Sequence, residues 1–292
     1  MSDRRAGAAG AASPGTPTGP VTPSPAATLI LVRACGTVPE ILLLKRSAGA
    51  RFMPNAYVFA GGAVDPEDAT GEMYERCAAI DDARASKTLA LPAGGLRFFV
   101  AAIREAFEEC GLLLAHDEAD RMVELNEWDA ERLRLMRKQL CDGQVGLAAL
   151  CQRHGWRLAT DQLVYFDHWI TPPSLKRRFD TRFFLARAPA RQTASVSGDE
   201  MTDFVWRSAA DALTEHVRGE LLLRQATRAI LGEIARFDHI DALFAFARGG
   251  RQILPTMPEP DSTPIPGTDP ATTPVPGTDP AAMPVPGTGP AG

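Results

Sequence analysis

The 292-residue sequence predicts a mixed α/β domain with a disordered tail at each end. Three observations predict this class: paired β-type runs near the start, an amphipathic helix near the middle, and alternating strands and helices after it. Residues 1–26 and 255–292 are rich in Pro, Gly, Ala and Thr, and the second segment holds three ten-residue copies that include TPVPGTDPAA. Because these ends carry few large apolar side chains, we expect them to be disordered and the folded body to be one domain, residues 27–254.

The first elements are predicted to be a hairpin and a third extended segment. ATLILVRA (27–34) and PEILLLKR (39–46) are β-type runs joined by a short turn. AYVFAGGAVD (56–65) is the third, interrupted by two glycines. Residues 66–95 are polar and Ala-rich, which predicts a loop with one short helix at 72–80.

The helix that follows carries a crowded set of charges. Its apolar residues recur at helical spacing: Phe99, Ala102, Ile103, Ala106, Phe107 and Cys110. Gly111 suits the left-handed position that ends a helix. Glu105, Glu108 and Glu109 lie off this stripe on one side, where like charges repel by roughly 0.2–0.5 kcal/mol per pair. The repulsion is relieved either by solvent or by a bound cation.

The rest of the chain predicts an all-helical insert, three strands and a helical end. The insert has helices at 128–140 and 144–154, and the strands fall at 163–171, 180–188 and 203–208. Helical patterns then cover 209–216, 221–237 and 240–248.

Charge and cysteine usage exclude several classes of protein. A net charge of −5 does not suit a protein built around nucleic acid. The five cysteines include no C-x-x-C pair, which argues against a zinc ribbon and fits reduced thiols. No apolar run reaches about 18 residues, and the N-terminus lacks the apolar core of a secretory signal. We expect a cytoplasmic protein that binds a small molecule, with no membrane or nucleic-acid partner and an undefined oligomeric state.

The three carboxylates suit a hard divalent cation. Glu105 and Glu109 are one turn apart and Glu108 lies between them, an arrangement that can hold Mg²⁺ through oxygen ligands. Such an ion on a diphosphate polarises phosphoryl oxygens and lowers the pKa of a bound water. Arg104 projects to another side, where it can pair with a carboxylate. On this spacing alone, a solvated helix face is the alternative.

REAFEECGLL (104–113) resembles the REUxEExGU half of the Nudix box, in which U is a bulky aliphatic residue. Ala106 is the one small residue at a U position. The upstream half of the box, G-x5-E, matches Gly61 to Glu67. Residues 68–103 separate the two halves, 36 positions where the usual box has seven, so an insertion of 29 residues splits it.

LLLKRSAGARFMPNAYVFAGG (42–62) resembles the signature LLTxR[S/A]x3Rx3Gx3FPGG of Nudix hydrolases that cleave coenzyme A. Leu44, Asn55 and Ala60 depart from it, and Asn55 can keep a turn that needs positive φ. Together with the split box, the FxGGxxDPxD run (Phe59–Asp68) and the segment Trp169–Ala186, this is similar to the acyl-coenzyme A diphosphatases over about residues 27–245.

This resemblance implies the Nudix fold, a mixed sheet sandwiched between helices with a helical insertion. It implies Mg²⁺- or Mn²⁺-dependent hydrolysis of a nucleoside diphosphate derivative. Coenzyme A or its acyl esters would yield 3′,5′-ADP and 4′-phosphopantetheine, with or without the acyl group. The implied metal and catalytic residues are Glu105, Glu109, Glu108, the Gly61 carbonyl and Arg104.

The resemblance also suggests residues around the substrate. Arg46 and Arg51 can bind phosphate through their guanidinium groups, and Gly62 is a further substrate-binding residue. Arg177 and Arg178 are candidates for binding a 3′-phosphate. Glu200 is a candidate additional ligand or base, in competition with Asp199 and Asp203.

Two other functions stay open. A Nudix pyrophosphatase acting on NADH or ADP-ribose is the enzymatic alternative, although the missing zinc ribbon argues against an NADH-type enzyme. A nucleotide-sensing module without catalysis is the other, and the intact glutamates argue against lost metal binding. The Pro-rich tail can serve as a spacer in any of these.

Overall fold

The computed structural model describes residues 21–50, 53–126, 128, 130–196 and 200–259, and it confirms a mixed sheet with helices on both faces. The strands are β1 (Ser24–Cys35), β2 (Val38–Arg46), β3 (Tyr57–Val58), β4 (Ala60–Ala63), β5 (Ala115–His116), β6 (Arg157–Leu158), β7 (Val164–Ile170), β8 (Phe179–Arg187) and β9 (Met201–Ser208). The helices are α1 (Gly71–Tyr74), α2 (Asp82–Thr88), α3 (Leu96–Cys110), α4 (Ala130–Cys141), α5 (Leu147–His154), α6 (Ala209–Val217), α7 (Gln225–Ile234) and α8 (Ile240–Arg248).

In the described part of the chain, β1 is the central strand of the seven-stranded sheet. It runs antiparallel to β2 and β4 and parallel to β8. β2 also pairs with β3 and β9, while β7 pairs with the far side of β8. The predicted hairpin is therefore confirmed, and β5 and β6 form a separate pair.

Both faces of the sheet are covered by apolar layers. Leu29 and Leu31 of β1 pack in the cluster that contains the buried face of α3. Ile30 and Val32 point the other way, into the cluster formed with α6, α7 and α8. Because successive strand residues alternate between faces, burial on both sides explains why the β1 and β2 runs are apolar at nearly every position.

Helix α3 forms as predicted and begins three residues earlier than its apolar stripe. Gly111 ends it with φ 72°, and its N–H donates to the Phe107 carbonyl. At the other end, the Asp82 carboxylate accepts hydrogen bonds from the N–H groups of Gly94 and Leu96, both at 2.9 Å. The helix is thus fixed at both ends and along its buried side.

The single helix predicted at 72–80 is wrong. Two short helices, α1 and α2, replace it, and Ala79 between them has φ 57°. The Asp81 carboxylate accepts the Arg84 N–H and begins a new helix at Asp82. A local N-cap therefore outweighs the continuous Ala-rich pattern.

The ordered structure extends into both segments predicted as tails. β1 begins at Ser24 and pairs with β8 from that residue onward. Near the other end, Thr256 exchanges hydrogen bonds with the β7 backbone, its N–H donating to the His168 carbonyl at 2.8 Å. These pairings depend on distant strands, so composition alone does not show them. Residues 1–20 and 260–292 lie outside the described residues.

All five cysteines are free thiols, and Cys110 and Cys151 are buried. No helix in the described residues has the length and apolarity needed to cross a membrane.

Asn55 provides a test of the predicted turn. It is exposed and has φ 58°, a left-handed backbone conformation that the glycine at this position of the signature can also adopt. We expect Asn55→Val to lower the free energy of unfolding by about 1–2 kcal/mol, because a β-branched residue is strained at positive φ. Asn55→Gly should retain wild-type stability within about 0.5 kcal/mol. Urea denaturation measures the free energy of unfolding of both variants. Equal stability of Asn55→Val and Asn55→Gly would contradict a positive φ at this position.

Candidate active site

Two adjacent glycines bring β4 against α3. A Cβ atom on Gly62 would overlap the Glu105 carboxylate, and one on Gly61 would overlap the backbone of β1. The Gly61 N–H donates to Glu109 Oε2 at 2.9 Å. Only residues without a side chain allow this approach. The structure therefore places the predicted Gly61 and Gly62 beside two of the predicted glutamates.

Arg104 is buried between α3 and the turn after β4, with 6% of its surface exposed. Its Nε and Nη2 donate to the two carboxylate oxygens of Asp68 at 2.9 and 3.0 Å. Its Nη1 donates to Glu105 at 2.9 Å and to Glu108 at 3.2 Å. Nη2 also donates to the Ala63 carbonyl at 2.8 Å. One guanidinium thus joins two glutamates to the turn.

Asp68 is a site residue that the sequence motif missed. Motif matching selects Glu67, which is exposed, whereas Asp68 is 2% exposed and lies against Arg104. The Asp68 carboxylate also accepts the Asp65 N–H at 2.8 Å, which closes the turn at 65–68 as a capping box. The D-x-x-D spacing of Asp65 and Asp68 is the sequence signal that could have identified it.

The three glutamates of α3 lie in a poorly hydrated, negatively charged environment. Burial raises the pKa of Glu105 to about 7, because it outweighs the lowering by Arg104, and Glu108 adds to the rise. Burial, reinforced by the charge of Glu105, raises the pKa of Glu109 well above its usual range. Burial also raises the pKa of Glu108 against the effect of Arg104. Ionising all three together therefore requires added positive charge.

Glu200 and Arg46 lie beside these carboxylates, at the start of β9 and the end of β2. Arg46 Nη2 donates to Glu200 Oε1 at 2.7 Å, and the Ser47 N–H donates to the Glu200 carbonyl at 2.8 Å. The charge of Glu200 raises the pKa of Glu109 and that of Arg46 lowers it, so both act on the same buried group. The Glu200 side chain is 64% exposed, which leaves it accessible to a ligand.

The other predicted residues do not converge on the glutamates within the described part of the chain. Arg51 and Asp199 lie outside the described residues. The Asp203 carboxylate accepts the N–H of the next residue in β9. Arg178 is buried and donates to the carbonyls of Val21 and Thr171, which makes it a structural link and not a phosphate contact. The guanidinium of Arg177 lies 5.3 Å from the centre of the Phe179 ring.

The donor chemistry of the α3 glutamates fits a divalent cation. Carboxylate oxygens are the ligands that Mg²⁺ and Mn²⁺ prefer, and positive charge would relieve the repulsion between Glu105 and Glu109. Within the described ranges, however, no three acidic, histidine or cysteine side chains converge on one point. Glu105 and Glu108 turn to Arg104 instead.

A comparison with family models matches residues 73–227, more than half of the chain, to the NUDT19 Nudix domain. The chain belongs to this Nudix hydrolase family. It is 28% identical to the Acyl-coenzyme A diphosphatase NUDT19 of Xenopus laevis over 237 residues, covering 71% of this chain and 62% of that protein. It is 26% identical to the Putative nudix hydrolase 7 of Caenorhabditis elegans over 245 residues, covering 84% and 71%. The chain thus spans less than two thirds of its Xenopus relative.

A solved structure confirms the fold of this Nudix family member. The NUDIX hydrolase from Alicyclobacillus acidocaldarius superimposes with a TM-score of 0.63 at 29% sequence identity. The match covers 77% of this chain and 96% of that structure. The resemblance based on the split box and the coenzyme A signature is therefore confirmed at the level of family and fold.

Asp68 and Glu67 form a matched pair for testing the Arg104 network. We expect Asp68→Asn to lower the free energy of unfolding by about 2–3 kcal/mol, because it removes the bidentate partner of a buried guanidinium. Glu67→Gln should change it by less than about 0.5 kcal/mol. Urea denaturation of both variants measures this. Equal losses would show that Asp68 does not anchor Arg104.

The raised pKa of Glu105 predicts that stability depends on pH. The measurement is made with a chelator, so that no metal ion binds the carboxylate. Its pKa rises from 4.5 to about 7 on folding, so the folded chain binds more protons and stability falls as pH rises through this interval. Glu105→Gln avoids this loss. At pH 8 its free energy of unfolding should exceed that of wild type by at most about 3 kcal/mol. The advantage should disappear below about pH 4, under the unfolded pKa, where the wild-type carboxyl is protonated in both the folded and the unfolded state.

Thermal unfolding at both pH values measures the difference. Glu72→Gln, at an exposed position on α1, serves as the control for the loss of one carboxylate. A Glu105→Gln protein that is less stable than wild type by the same amount at both pH values would contradict the raised pKa.

Proposed function

We propose that this chain is a divalent-metal-dependent diphosphatase that hydrolyses coenzyme A or its acyl esters. The products are 3′,5′-ADP and 4′-phosphopantetheine, with or without its acyl group. The observation that carries the proposal is the set of three α3 glutamates: buried Glu109 accepts the Gly61 N–H, and half-buried Glu105 and Glu108 are joined to the turn by Arg104. The substrate class is suggested by the name of the Xenopus relative and by the coenzyme A signature.

Two departures from that signature leave its backbone intact. Asn55 keeps a positive φ where the signature has Gly. Ala60, in place of Pro, is buried and pairs with Leu29 in the β1–β4 ladder. The turn and the strand of the signature therefore form despite the changed residues.

Glu105, Glu108 and Glu109 would hold Mg²⁺ or Mn²⁺, with the Gly61 carbonyl as a further ligand. When bound, such an ion polarises phosphoryl oxygens and lowers the pKa of a water molecule. The exposed carboxylate of Glu200 would serve either as an additional ligand or as the base that accepts a proton from the attacking water. Arg46 would bind a phosphate through its planar guanidinium, and Arg51 is assigned the same role from sequence.

The first experiment measures hydrolysis of coenzyme A, octanoyl-coenzyme A, NADH and ADP-ribose with Mg²⁺ or Mn²⁺. We expect wild type to release 3′,5′-ADP from the first two substrates. Glu109→Gln should lose at least about 100-fold in kcat/KM, because removing a direct ligand costs more than the 10–100-fold seen for outer partners. Glu72→Gln, an exposed change on α1, is the matched control and should keep full activity.

The other outcomes identify the alternatives. Cleavage of NADH or ADP-ribose in place of the coenzyme A compounds would retain the diphosphatase chemistry and reject the substrate class. Absence of metal-dependent cleavage of every compound would overturn the proposal in favour of a nucleotide-sensing module.

A further inference from the structure

The outer edge of β7 is covered by the chain that follows α8. In the described part of the chain, β7 pairs with β8 and with no other strand of the sheet. On its other side, the Ile170 N–H donates to the Thr256 carbonyl, and the Thr256 N–H donates to the His168 carbonyl, both at 2.8 Å. These bonds form a parallel bridge between Trp169 and Thr256. Residues 251–256, the edge segment, therefore lie along β7 as a short added strand.

Arg251 fixes the first residue of the edge segment. Its Nη2 donates to the Phe166 carbonyl. Its guanidinium carbon lies 4.8 Å from the centre of the Phe166 ring and 5.3 Å from that of Phe246 in α8. A cation over an aromatic ring is attracted by the negative face of the ring. The segment thus binds the backbone of β7 at Phe166, His168 and Ile170, the alternate residues whose polar groups share one side of a strand.

Few apolar contacts hold the edge segment in place. Leu254 is 64% exposed, and Met257, which follows the segment, is 51% exposed. Thr256 is exposed as well. A segment held by exposed hydrogen bonds and by little buried apolar area opens at a low free-energy cost. Opening leaves polar groups of the β7 backbone unpaired, and an unpaired edge accepts another strand.

Gly250 makes the turn that brings the edge segment back to β7 of its own chain. Gly249 follows the last residue of α8, and its N–H donates to the Phe246 carbonyl at 3.1 Å. Gly250 has φ 73°, a conformation that is strained for residues with a side chain. An added Cβ atom at Gly250 would meet no non-neighbouring atom within 4 Å. Backbone conformation at one exposed residue, and not packing around it, therefore decides whether the chain turns back.

We propose that the edge segment is an exchangeable strand, which docks on β7 of its own chain or on β7 of a second copy of this chain. The contacts of Arg251 and Thr256 all lie beyond the turn, so a chain that is extended at Gly250 makes the same contacts with a second copy. Two copies that exchange the segment form a closed dimer with two-fold symmetry. The left-handed turn at Gly250 favours the closed monomer. This inference is independent of the proposed diphosphatase activity.

The test compares Gly250→Val with Gly143→Val in the full chain. Both glycines are exposed, have φ values of 73° and 67°, and have no non-neighbouring atom within 4 Å of an added Cβ. The two substitutions therefore introduce similar backbone strain, but only the strain at Gly250 is relieved when the edge segment is exchanged. Size-exclusion chromatography with light scattering measures the molar mass over a range of protein concentrations, and circular dichroism verifies the fold.

Wild type and Gly143→Val should have equal molar masses, whereas Gly250→Val should reach twice that mass as its concentration rises. The relieved strain should raise the association constant of the dimer by at least about tenfold. Hydrogen exchange of the Ile170 N–H should remain slow in the dimer, because the carbonyl of Thr256 covers it in either state.

A second substitution tests whether the dimer forms through the edge segment. Thr256→Pro, added to Gly250→Val, removes the N–H that donates to the His168 carbonyl and should abolish the dimer. Thr256→Val keeps this N–H and should leave the dimer intact.

Three results would overturn the inference. They are a folded Gly250→Val protein with the molar mass of wild type, equal dimer formation by Gly143→Val, and a dimer that survives Thr256→Pro. If Gly250→Val does not fold, Gly250→Ala introduces a smaller side chain at the same positive φ and is judged by the same outcomes.

Discussion

The candidate site depends on the burial of one guanidinium. A charged group taken out of water is stabilised only when hydrogen bonds and opposite charges surround it, and Arg104 obtains these from Asp68, Glu105, Glu108 and the Ala63 carbonyl. The hydrogen bonds of Arg104 therefore hold the turn after β4 against α3. The same contact fixes the distance between the glycines of β4 and the glutamates, so the packing of the fold and the geometry of the site depend on one interaction.

The burial that fixes Arg104 also leaves the glutamates short of positive charge. Among the described residues, the Arg104 guanidinium donates to Glu105 and Glu108, while Glu109 accepts a backbone N–H. Burial raises the pKa of each glutamate, and the charge of Arg104 offsets only part of the rise at Glu105 and Glu108. The protonated form of the glutamates is thus stable in this site, and their ionised form is suited to bind a cation. Glu108 also links α3 to α4, since its carboxylate accepts a hydrogen bond from Arg104 and its carbonyl accepts one from Arg137.

The sequence predicted those parts of the structure that depend on local periodicity or on a motif. The β1–β2 hairpin, helix α3 and its glycine cap follow from spacing alone, and the resemblance brought Gly61 and Gly62 to the glutamates. The Nudix box selects Glu67, and only the D-x-x-D spacing of Asp65 and Asp68 indicates that Asp68 turns inward toward Arg104. The Thr256 pairing and the buried contacts of Arg178 depend on strands far away in the chain.

The position of β1 at the centre of the sheet has a consequence for how the protein assembles. This strand lies at the start of the described chain, yet it requires β8, which is made more than a hundred residues later, as its parallel neighbour. During synthesis the central strand leaves the ribosome with one edge unpaired, and such edges invite pairing with other chains. Non-local pairing of this kind also slows folding. The edge of β1 that pairs with β8 therefore stays open until Phe179–Arg187 has been synthesised.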